Sequence, residues 1–279
     1  MDAEPDDEPR FSAEPASAYR PPKRKPGPGP YLRALRSAPD AEWPEGHGFP
    51  FNIPALQQFD GLSLDAPVTL LAGDNGTGKS TIVELIADAM AFAPEGGELI
   101  RSGVLPPKPR AVLGGPGEPG TLEPDLSATY PAGGYFLRAE SFFNIAEFVD
   151  GGSIFAPDIS LYGGVALHGQ SHGQSFLALA ANRFGPGGFY LLDEPEAALS
   201  LSGCLALVAI VTRAARAGAQ FIIATHSPVL LAIPDAVIYE LDEGGINPCG
   251  WDALDVVRDT RAFLDAPERF IDAALDGLD

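Results

Sequence analysis

One stretch constrains this chain more than any other: Gly73-Asp74-Asn75-Gly76-Thr77-Gly78-Lys79-Ser80, followed by Thr81. It fits G-x-x-x-x-G-K-[ST] at every fixed position. The apolar run 66–72 before it reads as a buried strand. After it, Ile82, Val83, Leu85, Ile86 and Met90 recur at helical spacing over 80–92. A strand, a glycine-rich turn and a helix in that order make a phosphate cradle. The glycines let the backbone curl so that successive N–H groups point at phosphate oxygens. The helix adds its positive N-terminal end. Lys79 is expected to reach the β- and γ-phosphates, and Ser80 to set its hydroxyl on Mg²⁺.

A second acidic site lies downstream. Phe189-Tyr190-Leu191-Leu192-Asp193-Glu194-Pro195 is an apolar strand ending in two acids. Paired carboxylates at a buried strand tip need a compensating charge, and nucleotide-bound Mg²⁺ supplies one. Asp193 is therefore assigned to the metal, and Glu194 to the attacking water.

The rest of the chain alternates. Strands are expected at 31–36, 134–138, 188–192, 220–225 and 236–241. Helices are expected from 174, over 199–217, and as one closing amphipathic helix over 261–275. Alternating strands and helices predict an α/β fold with a largely parallel sheet flanked by helices. Residues 1–29, rich in Asp, Glu, Pro, Ala and Ser, predict a disordered tail ahead of one domain over 30–279. Residues 103–134 are dense in Pro and Gly and read as a long loop.

Composition excludes several classes. The formal net charge of −20 argues against bulk nucleic-acid affinity. The dense basic run, Lys23-Arg24-Lys25, reads as part of a solvated tail. No run approaches the ~18 apolar residues of a membrane helix. Two cysteines, Cys204 and Cys249, make no disulfide framework, and the N-terminus has no apolar signal core. The cytoplasm is the expected compartment. His168 and His172 lack the Cys or acidic partners of a zinc site.

These motifs together resemble the ABC ATPase superfamily. The loop with Thr81 is similar to its G-x-N-G-x-G-K-S-T form, and Leu-Leu-Asp-Glu-Pro to its Walker B strand with a catalytic Glu. Gln170-Ser171-His172-Gly173-Gln174 resembles the signature L-S-G-G-Q with two substitutions. Ala224-Thr225-His226-Ser227 resembles the switch-histidine strand. Ala198-Leu199-Ser200 stands at the D-loop, with Ser200 in place of Asp. More narrowly, 136–144 and 171–176 resemble small soluble bacterial predicted ATPases related to SMC and RecF heads. The resemblance implies a P-loop NTPase of the ABC-head type, with a signature-bearing helical part at about 141–186.

It further implies an ATP-dependent homodimer, in which Ser171 and Gly173 of one copy meet the γ-phosphate held by the other, with Gln174 beside them as a nucleotide-binding residue. His226 would contact that phosphate or the lytic water. Glu140 stands where the Q-loop Gln is expected, as a metal ligand or as the ion-pair partner of Arg138. Tyr31, Phe49 and Phe51 are the candidates for stacking adenine. The sequence shows no heptad arm, so nucleic acid enters by family analogy alone, and any protein partner is unidentified. An ATP-driven switch is the leading reading. A P-loop phosphotransferase, a transporter ATPase subunit and a nucleotide binder with little turnover are the alternatives.

Overall fold

In the computed structural model, the described residues are 25–37, 52–57, 59–99, 111–112, 121–138 and 172–276. The larger sheet has seven strands, numbered along the chain: β4 (Val68–Gly73), β5 (Gly97–Glu98), β9 (Gly133–Arg138), β10 (Gly188–Asp193), β11 (Gln220–Ala224), β12 (Val237–Asp242) and β13 (Gly245–Pro248). Their spatial order is β13-β12-β4-β11-β10-β9-β5. The five central strands are parallel, and β13 and β5 pair antiparallel at the two edges.

The apolar runs explain this sheet. Along β10, Phe189 and Leu191 enter one core while Tyr190 and Leu192 enter another on the opposite face. In β11, Ile222 and Ala224 divide from Phe221 and Ile223 in the same way. Side chains alternate across a strand, so a run apolar at every position needs cover on both faces. Helix α2 (Lys79–Ala89), which follows the one-turn α1 (Pro54–Gln57), covers one face. Helices α3 (His172–Arg183) and α4 (Leu201–Arg216) cover the other. The α4 helix starts at Ser200, whose hydroxyl accepts from the Gly203 amide at 3.3 Å. That N-cap gives Ser200 a structural use at the D-loop position.

A second, four-stranded sheet is antiparallel, in the order β3-β2-β7-β6. It comprises β2 (Leu32–Ser37), β3 (Gly61–Ser63), β6 (Ala111–Val112) and β7 (Thr121–Leu126). Leu32, Leu35, Leu62 and Leu122 pack into the core that holds α2. The seam between the sheets is Gln220, fully buried. Its Oε1 accepts from the Tyr31 and Leu32 amides at 2.7 and 3.0 Å. Its Nε2 donates to the Leu32 and Leu64 carbonyls at 2.7 and 2.8 Å. All four hydrogen-bonding positions of the amide are filled, which makes its burial tolerable.

Four expectations need correction. Residues 103–134 are not one loop, because β6, β7 and β8 (Thr129–Tyr130) fall within them. Pro124 hid β7: proline donates nothing to a ladder, yet here it sits opposite Leu35. The closing helix is two helices, α5 (Asp255–Asp265) and α6 (Pro267–Asp276). Pro267 breaks them by excluding its neighbour from helical geometry, and Ala266 sits at φ −148°, ψ 60°. Within the expected tail, Lys25–Pro26 form a short strand, β1, parallel to β8, and the Gly29 amide donates to the Gly218 carbonyl at 2.8 Å. Residues 1–24 lie outside the described ones.

Tyr31 is the fourth correction. It is 1% exposed, and its hydroxyl meets the carbonyls of Gly27, Gly187 and Gly218 at 2.9, 2.7 and 3.2 Å. Burial, then the neighbouring Tyr190, push its pKa up to about 12. A ring fixed this way is a structural pin and cannot stack on a base. Phe49 and Phe51 fall outside the described residues.

Candidate active site

Parallel strands bring their C-terminal ends to one edge. Asp193 at the end of β10 pairs with Ala224 of β11 on one side and Arg138 of β9 on the other. Ala224 in turn pairs with Leu71 of β4, two residues before Gly73. Because β11 lies between β4 and β10, the residues that follow it emerge between the loop and the acids.

The loop is shaped by close approaches. Gly73 has φ 137°, and a Cβ there would lie 2.3 Å from the Leu241 carbonyl oxygen. Gly78 has φ 102°, and a Cβ would lie 2.8 Å from Ile53 Cγ2. Both positions therefore require glycine twice over, for backbone and for space. Gly76 has φ 82°, with Asn75 exposed beside it. Thr77 Oγ1 donates to the Asp74 carbonyl at 2.8 Å, and Thr81 is buried on α2.

Lys79 is 3% exposed, and its Nζ donates to the Gly73 and Asp74 carbonyls, each at 2.9 Å. Burial lowers its pKa, while the charges of Glu194, Asp193, Asp74 and Glu196 oppose that. The two carbonyls hold the Lys79 side chain over the loop, with four acids nearby. Ser80 Oγ donates to Asp193 Oδ1 at 3.0 Å. Asp193 is 7% exposed, and burial raises its pKa. The Ser80 hydrogen bond and Arg138 oppose the shift, whereas Glu194 and Glu84 add to it. Arg138 Nε stands 3.9 Å from Asp193 Oδ2, and its Nη1 lies 2.7 Å from Glu84 Oε1. Arg138 is thus engaged with groups other than Glu140, which lies outside the described residues.

Glu194 stands in the left-handed region, at φ 49° and ψ 49°. For a residue with a side chain this costs on the order of 1–2 kcal/mol, and such strain collects at functional sites. Its amide donates to the Ala224 carbonyl at 2.9 Å, which helps hold the turn. Its Oε1 lies 3.3 Å from His226 Nε2. That is ion-pair distance, but the groups are not aligned for a hydrogen bond, so the buried Nε2 has no hydrogen-bond partner among the described residues.

The chemistry of the donor set fits a small hard cation beside a phosphate chain. Ser80 and Asp193 offer a hydroxyl and a carboxylate in direct contact. Mg²⁺ typically takes one or two carboxylates plus phosphate oxygens, with no all-protein cage. No group of three His, Cys, Asp or Glu among the described residues offers such a cage.

The signature-like segment is placed in part. Ser171 lies outside the described residues, and Gly173 and Gln174 occupy the first turn of α3. A Cβ on Gly173 would meet the Ala198 carbonyl oxygen at 2.9 Å, so this glycine has a packing reason within the chain. The sequence reading missed Glu196. Its only signal was a third acid in Asp193-Glu194-Pro195-Glu196, which reads equally as a solvated turn.

A family model described as "AAA domain, putative AbiEii toxin, Type IV TA system" matches residues 162–232, the part that holds the acid pair and His226. This match, over about a quarter of the chain, supports an ABC/AAA-type P-loop ATPase assignment. The chain's α/β fold of mostly parallel strands flanked by helices is the one the sequence predicts. Among solved structures, it is similar to an SMC head domain from Thermotoga maritima. That pair is 16% identical over 78% of this chain and 98% of the other, with a TM-score of 0.43. It is also similar to the ADP conformation of an ATP-binding cassette of an ABC transporter. There the identity is 15% over 82% and 96% of the two chains, with a TM-score of 0.46. Superpositions this loose carry no argument of their own; the strand order and the loop carry the fold. No curated protein matches the chain. Among the described residues, no helix is long and apolar enough to cross a membrane.

Proposed function

We propose that this P-loop ATPase binds ATP with Mg²⁺ and hydrolyses it, and that ATP closes two copies of the chain into a dimer that hydrolysis reopens. The observation that carries the reading is the convergence at one sheet edge of a buried cation, a hydroxyl–carboxylate pair and a strained glutamate beside a histidine.

Loop amides and Lys79 bind the β- and γ-phosphates. Ser80 and Asp193 would hold Mg²⁺, which when bound would neutralise charge on the phosphate chain. Glu194 accepts a proton from water as the water oxygen bonds to the γ-phosphorus. The bond from that phosphorus to the β,γ-bridging oxygen breaks, leaving ADP and inorganic phosphate. The Nε2 of His226, which has no hydrogen-bond partner among the described residues, supports its assignment to the γ-phosphate or the lytic water. Ser171, Gly173 and Gln174 of a second copy complete the site from across the dimer, with Glu140 as a further metal ligand. A cytoplasmic setting accords with this substrate and with two free thiols.

The test is phosphate release with ATP, Mg²⁺ and no added acceptor, in the parent and in Glu194→Gln. General-base loss costs about 10²–10⁴-fold. The variant should keep ATP affinity, lose turnover on that scale, and accumulate as an ATP-dependent dimer on a sizing column. Turnover at the parent rate would show that Glu194 is not the base. Phosphate release that needs an added acceptor would favour the phosphotransferase.

A further inference from the structure

The residue between the two halves of the catalytic edge is Glu196. It lies on the short turn Pro195–Ala198, directly after Glu194. Its Oε1 accepts three hydrogen bonds, from Thr225 Oγ1 at 2.7 Å, the His226 amide at 2.5 Å and the Ser227 amide at 3.0 Å. The Ser227 amide also donates to Thr225 Oγ1 at 3.0 Å. Every residue of the 225–227 turn therefore hangs on one carboxylate oxygen. The other oxygen, Oε2, is buried with no hydrogen-bond partner among the described residues.

We propose that Glu196 is a positioning residue that sets where the His226 imidazole stands against Glu194. The links form a closed ring. Glu194 joins Glu196 through Pro195, Glu196 holds the His226 backbone, and the His226 ring returns to within 3.3 Å of Glu194. Proline stiffens the covalent arm by fixing its own φ. A carboxylate suits the hub because it accepts several donors at once and makes stronger hydrogen bonds while charged. The far side of the turn is fixed separately, by Trp251 Nε1 donating to the Pro228 carbonyl at 2.9 Å. With the turn secured there, Glu196 is left to govern the position of the ring and not the existence of the turn. This inference rests on the assignment of His226 to the reaction.

The experiment is a cycle of Glu196→Gln, His226→Ala and the double variant in the full chain. It reads nucleotide affinity with a fluorescent ATP analogue, turnover by phosphate release, and the imidazole resonances by NMR. The chain has four histidines, so the His226 signal is assignable by its loss in His226→Ala. Glu196→Gln should keep affinity within about 3-fold while turnover falls on the order of 10-fold, since misplacing a reacting group is felt in kcat. In the His226→Ala background the same change should cost nothing further, because contacting residues in one network are not additive. The His226 resonance should move, and the other three should stay.

Additive losses, or an unmoved His226 resonance, would overturn the proposal. Loss of affinity in step with turnover would reduce Glu196 to a structural part and overturn it equally. The NMR arm needs no turnover, so it judges Glu196 even if the chain proves not to hydrolyse ATP. Parent-rate turnover in Glu194→Gln strikes the base assignment alone.

Discussion

The two sheets of this molecule do different work. Four of the five central strands, β4, β9, β10 and β11, are buried on both faces and end in a site residue or lead directly into one. The four-stranded sheet is short, one-sided and antiparallel, and the site draws no candidate residue from it. Parallel strands gather all their C-terminal ends at one edge, so side chains distant in sequence meet there. Antiparallel strands spread successive ends to opposite edges. The smaller sheet serves instead as a brace, packed on the helix that follows the phosphate loop.

The sharpest way to break this contrast is to ask whether activity and stability separate along it. Lys79→Ala strikes the parallel edge. Removing a buried charge contact costs about 2–5 kcal/mol, so ATP affinity should fall by at least 30-fold in a binding titration, with little change in melting temperature. Gln220→Leu strikes the seam. Two buried amides and two carbonyls lose partners, at about 1–3 kcal/mol for each group left unsatisfied. A stability loss of at least about 4 kcal/mol is expected by denaturant titration, with ATP affinity kept in the fraction that remains folded. An activity defect without a stability defect would mean that the seam shapes the site directly.

Asp193→Asn trades one property against the other. Burial raises the Asp193 carboxyl above its ordinary value, so the folded chain holds that proton more tightly than the unfolded one. Stability is then lost as pH rises from the usual aspartate range through the raised value. The Asn variant does not titrate there. Its melting temperature should exceed the parent's by a margin that grows with pH through that window, while Mg²⁺-dependent turnover disappears. A margin that shrinks with pH would mean that Ser80 and Arg138 outweigh burial. The smallest effect is expected from Pro124→Val in the brace. It restores a strand former at a position opposite Leu35 and should change stability by less than about 1 kcal/mol, with turnover unaltered.

The same contrast explains what was legible in the sequence. A strand buried on both faces is a continuous apolar run, so the parallel strands and the loop helix were readable from periodicity and their flanking glycines. The two acids were readable because charge at the end of such a run demands a partner. Of the brace, β2 was readable but β6 and β7 were not, since two-residue β6 and proline-bearing β7 have no periodicity to detect, and β7 pairs with β2, far along the chain. The break before Pro267 was visible as a proline, yet the amphipathic pattern runs on across it. Glu196, and the pairing of Arg138 with Asp193 and Glu84, escaped for another reason. Their importance lies in strand register and in a turn, and register is set by tertiary packing.

Gln220 carries one more consequence, in time. Its bond to the Tyr31 amide spans 189 positions. A ribosome that has delivered the first antiparallel strand must therefore make most of the remaining chain before that strand can be fastened to the larger sheet through Gln220. At about 5–20 residues per second, the wait is roughly ten to forty seconds. During it, the exposed amides of Tyr31 and Leu32 are open to wrong pairings, and the nascent chain depends on whatever keeps them apart.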